Sequence, residues 1–126
     1  MKCNYKSNCH ISSKHPVWYI IIILLYNITG EDSGYTDYSD CYSLQGGHWS
    51  LQDPLLGARE GAAGSNTNMG WMVTGGWDDD IFTALDTTEM FNNSTNKWEK
   101  GPVLPTPMYG HCQVSYKDTV IVTGNI

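Results

Sequence analysis

Basic residues are scarce in this chain, with 7 Lys and Arg against 13 Asp and Glu and a formal net charge of −6 at neutral pH. That balance offers the phosphates of DNA or RNA no attraction, and the few lysines do not gather into a patch, so nucleic acid is excluded as a partner. Cysteine is sparser still: the residues at 3, 9, 41 and 112 form no Cys-x-x-Cys pair and no ligand spacing of a structural zinc site. No apolar run approaches the ~20 residues of a membrane-spanning helix. The longest, Val17 to Tyr26, has ten. Charged residues reach only 16% of the chain, poor material for long amphipathic helices.

What is plentiful is glycine, at 13 residues, together with 12% aromatics, a mix that favours short strands and turns and predicts an all-β fold. The chain also repeats itself. Residues 42–76 laid over 91–125 without a gap pair Tyr42 with Phe91, Trp49 with Trp98 and Leu55 with Leu104, at one offset of 49 residues. The same frame pairs Gly61 with Gly110, and Val73-Thr74-Gly75 with Val122-Thr123-Gly124. Within the unit an apolar strand ends in Gly75-Gly76, followed by Phe91, six residues, and Trp98. A Leu/Pro segment, GPVLPTPMYGHC at 101–112 and DPLLGAREGAA at 53–63, then leads into the next strand.

A period near 50 with these landmarks in this order resembles the kelch repeat, one four-stranded antiparallel blade of a β-propeller. The resemblance covers about residues 40–126. It departs from the pattern where Met108 stands at the position of Arg59, where Gly124-Asn125 replaces Gly-Gly, and where neither copy completes the Arg-x-x-His strand opening. It implies outer strands of a partial blade over 41–58, a complete blade over 59–104, and inner strands of a truncated blade over 105–126. Tyr42, Trp49, Gly75, Gly76, Phe91, Trp98 and Gly124 are then scaffold residues. Val73, Thr74, Val120, Ile121 and Val122, being β-branched, belong on central strands packed between blades. A propeller closes with ~4–8 blades, so the chain is expected to be a fragment of a longer protein, or else to assemble in copies.

Before the repeat, Val17 to Tyr26 suits the apolar core of a secretory signal, with Lys2, Lys6 and Lys14 ahead of it and Thr29-Gly30 at a cleavage point. Residues 1–30 are thus a candidate signal peptide or signal anchor. The alternatives are a buried strand of an otherwise missing blade and a wrongly joined gene start. Residues 31–40 are acidic and polar, and read as a solvated linker.

Candidate chemistry is thin. Asn27, Asn92 and Asn93 head glycosylation sequons. Cys41 and Cys112 could form a disulfide in an oxidising compartment. Asp78, Asp79 and Asp80 follow the Gly-Gly in a loop; they could attract calcium, but three consecutive acids read better as solvated. His48, His111 and Cys112 lack the orienting acid or third ligand of a metal or nucleophile site. No catalytic residue, cofactor or metal is expected.

The resemblance therefore implies a non-catalytic binding module whose propeller loops take a protein or glycan, secreted or extracellular. It would touch a membrane only through an uncleaved N-terminal segment. The enzymatic alternative, a copper enzyme similar to galactose oxidase, needs Tyr and His ligands and a Tyr-Cys crosslink that the sequence does not show. The intracellular alternative, a substrate adaptor of a ubiquitin ligase, carries a helical region ahead of its propeller.

Overall fold

The computed structural model describes residues 19–21 and 39–124, and every regular element among them is a strand. In chain order these are β1 (Tyr19–Ile21), β2 (Cys41–Gln45), β3 (His48–Gln52), β4 (Ala63–Thr67), β5 (Gly70–Thr74), β6 (Trp77–Asp78), β7 (Thr83–Ala84), β8 (Thr88–Asn92), β9 (Lys97–Lys100), β10 (Cys112–Tyr116) and β11 (Thr119–Thr123). The all-β expectation holds. Short turns with left-handed residues reverse the chain between sequential neighbours, as at Asn96 (φ 55°) and Lys117 (φ 54°).

Strands β4-β5-β8-β9 form one four-stranded antiparallel sheet, the complete blade. Its register sets Val73 opposite Glu89, Thr74 opposite Thr88 and Phe91 opposite Trp98. Strands β10 and β11 pair as the inner hairpin of the next blade, and β1-β2-β3 form a sheet ahead of the complete one. There β1 pairs antiparallel with β2, Ile21 opposite Tyr42, the place that β5 takes beside β8. Part of the N-terminal apolar run is thus paired in a sheet. The cleavage point, Asn27 and residues 31–38 of the acidic stretch lie outside the described residues.

The apolar core lies between blades. Cys41 and Leu55, from the preceding blade, are buried against Val73, Phe91 and Trp98, with Ala62 and Trp71 packed on the cluster. The Phe91 and Trp98 rings meet edge to face at 5.3 Å, and the Trp98 indole donates to the Asp53 carbonyl (3.1 Å). The wall for Trp98 is therefore the blade before its own.

Two repeat positions depart from the expectation for the same reason. Trp49, one period before Trp98, is 47% exposed where Trp98 is 4%, because no still earlier blade stands among the described residues to cover it. Thr123 on β11 is likewise exposed while its counterpart Thr74 is buried. Val120 and Val122 are only half-buried. The apolar strands of the partial blades keep open faces.

Candidate functional site

Strand β5 leaves the sheet at Gly75-Gly76, where both residues have positive φ (58° and 114°). A Cβ on Gly75 would strike the carbonyl of Met108 and come within 2.8 Å of the His111 ring. Only glycine fits that corner. Here the loop between the second and third strands of the blade meets the segment entering the next blade, and the Gly76 N–H donates to the Met108 carbonyl (2.9 Å).

A buried ion pair holds the corner from inside. Arg59 Nη2 donates to Glu89 Oε1 at 2.7 Å, and both side chains are almost wholly buried. Arg59 Nη1 donates to the carbonyls of Gly75 (3.0 Å) and Thr87 (3.1 Å), and its Nε donates to that of Gly57 (3.2 Å). The Glu89 carboxylate also accepts the N–H groups of Leu56 (2.6 Å) and Gly57 (3.1 Å). These bonds tie the incoming segment, the glycine corner and β8 together, which makes the pair structural. Sequence reasoning overlooked Glu89. The signal available was a lone acid at the middle of a strand, facing a lone Arg in the leading loop.

His111 stands on the far side of the corner. Its Nε2 lies 2.8 Å from Thr74 Oγ1, whose hydroxyl proton goes to Gln113 Oε1 (2.6 Å); Gln113 Nε2 donates to Ser65 Oγ (2.7 Å), which bonds the Ser115 hydroxyl. This buried chain sews β4 and β5 to β10. Arg59 from one copy and His111 from the next thus stand on opposite sides of the Gly75 corner. Gly124 also serves His111, since a Cβ there would come within 2.5 Å of the His111 Cβ.

With the Thr74 proton committed, Nε2 carries the imidazole proton, and Nδ1 is buried without a partner. Burial lowers the His111 pKa below 6.5. A depressed folded value means that the unfolded chain binds the extra proton first, so stability falls as pH drops below 6.5 and is unaffected above it. The loss is at most about 1.4 kcal/mol per pH unit until the folded pKa is reached. Urea midpoints at pH 7.5 and 5.5 should therefore differ more in the native chain than in His111→Gln. Equal differences would remove His111 as the cause.

The two cysteines considered as a bridge are not joined. Cys41 is a free buried thiol packed in the interblade core, its pKa pushed up to about 11 by burial, so it is an unreactive neutral group. Cys112 is disulfide-bonded.

Beyond the glycine corner the expected loop contains a further small hairpin, β6–β7, with Trp77 opposite Ala84. Asp78 Oδ1 accepts the N–H groups of Asp80 (2.9 Å) and Ile81 (3.2 Å), so this carboxylate folds the tip. Among the described residues no three His, Cys, Asp or Glu side chains are grouped as metal ligands would be, and His48 is exposed on β3. Ile81 and Phe82, at the tip, are 64% and 77% exposed, with Phe82 left-handed (φ 50°), rare for an aromatic residue. Beside them the Trp77 ring stacks edge to face on Tyr109 (5.2 Å), which is itself 55% exposed. At the opposite end of the blade the Asn92 side chain donates to Glu99 (2.8 Å) and accepts from the Ser94 N–H (2.9 Å), while Asn93 is exposed.

Kelch-like protein 23 of Homo sapiens is 28% identical over 100 residues, covering 79% of this chain and 18% of that protein. Kelch-like protein 40a of Danio rerio is 27% identical over 125 residues, covering 94% and 20%. The solved structure of YjhT superposes with a TM-score of 0.61 at 21% identity, over 69% of this chain and 28% of that one. The repeats are kelch repeats. No family model matches the chain. The chain spans about a fifth of the length of these curated relatives.

Within a kelch blade the loops fall at two ends. The β6–β7 loop and the segments 53–62 and 101–111 share one end, and the hairpins at 46–47, 68–69, 93–96 and 117–118 share the other. The exposed Ile81, Phe82 and Tyr109 and the half-buried Trp77 all belong to the first.

Proposed function

We propose that this chain is a stretch of kelch propeller acting as a non-catalytic protein-interaction module, with its partner seated on the loop end, and that it works outside the cell. The observation carrying the reading is the cluster of Ile81, Phe82 and Tyr109, held at the surface by a built hairpin and the Trp77–Tyr109 stack. Large apolar side chains on a rigid support are the usual anchors of a protein interface. The disulfide at Cys112 supports an oxidising compartment, as does the sequon asparagine Asn93 exposed at a turn.

The test is photo-crosslinking of the full chain expressed in a secretory cell. A photoreactive phenylalanine at Tyr109 should give protein adducts, whereas the same group at Tyr116, exposed at the hairpin end, should give none. The protein should leave the cell and lose mass on deglycosylation. Equal labelling from both ends, or none, would sink the interaction reading. Retention without glycan would sink the extracellular one.

A further inference from the structure

The end that carries the apolar cluster is also acidic. Asp78, Asp79 and Asp80 stand in its hairpin, Glu60 forms a backbone bridge with Trp77, and Asp53 and Asp86 lie in the adjoining loop segments. Positive charge is nearly absent there. Among the described residues, Arg59 is committed to Glu89, Lys97 and Lys117 are at the hairpin end, and Lys100, where the outermost strand β9 reaches the loop end, is the one exposed Lys or Arg there. An interaction surface with this rim repels acidic segments and draws basic ones.

We infer that the loop end takes a basic peptide segment with large apolar side chains, its Lys or Arg groups set against the acidic rim and its apolar groups against Ile81, Phe82 and the Trp77–Tyr109 pair. This inference rests on the loop end being the partner-binding surface, and adds the partner's chemistry. The acids supply approach rate and sign selection, because rim charges act mainly on encounter. The apolar groups supply residence. A carboxylate-rich segment would meet like charge at every turn.

Two labelled eight-residue peptides, one alternating Arg and Leu and the other Glu and Leu, are titrated into the full chain by fluorescence anisotropy. The Arg-Leu peptide should bind about tenfold tighter, and more weakly as salt rises. Asp80→Asn should weaken it about two- to fivefold, whereas Asp118→Asn, removing an equally exposed charge at the hairpin end, should not. Phe82→Ser should weaken it without altering the urea midpoint. Equal binding of both peptides, with Phe82→Ser weakening both, would overturn the basic preference and leave the docking surface standing. Binding indifferent to Phe82→Ser and Asp80→Asn, or no binding, would overturn both.

Discussion

Replacing Glu89 with Ala is expected to cost about 3–5 kcal/mol of stability, because it leaves the Arg59 guanidinium buried without its counter-charge. It also strips the Leu56 and Gly57 N–H groups of their shared acceptor. Arg59→Met should be similarly damaging, for the reverse reason: a carboxylate is then buried with only backbone donors. The double variant Arg59→Met with Glu89→Ala should lose clearly less than the two single losses added together, since no uncompensated charge remains. Urea unfolding of the four chains measures this, and additive losses would show that the two side chains act independently. The penalties should change little with salt, because the pair is shielded from solvent.

Local features made the fold legible. The Gly75-Gly76 corner, the β-branched run before it and the Phe91 and Trp98 pair each have one physical use in a blade, and the 49-residue offset fixed their order. What escaped the sequence was nonlocal. Glu89 gains its meaning only when Arg59, thirty positions away, is brought under the same corner, and His111 gains its own only through Thr74 and Gln113 on two strands. The β6–β7 hairpin escaped because its strands are two residues long and give no periodicity to read. Cys41 and Cys112 are expected to pair as the only cysteines that remain once a signal peptide is removed. In the structure Cys41 faces Leu55 and Trp98 in the interblade core and carries no bridge.

Repeat identity does not carry equal burial with it, and Trp98 and Trp49 make that testable. Trp98→Ala should destabilise the chain by about 3–5 kcal/mol, the range for deleting a buried large aromatic. It empties the core space between Phe91, Leu55 and Cys41 and abolishes the indole bond to Asp53. Trp49→Ala, at the same position one period earlier, should cost within about 0.5 kcal/mol, since nearly half its surface is already in water. The comparison holds residue type and repeat position constant and varies only the presence of a preceding blade. A loss at Trp49 approaching that at Trp98 would mean that something covers Trp49 in solution. Sedimentation at several concentrations would then identify the cover: a second copy makes the Trp49→Ala penalty grow with protein concentration, whereas cover from within the chain leaves it constant.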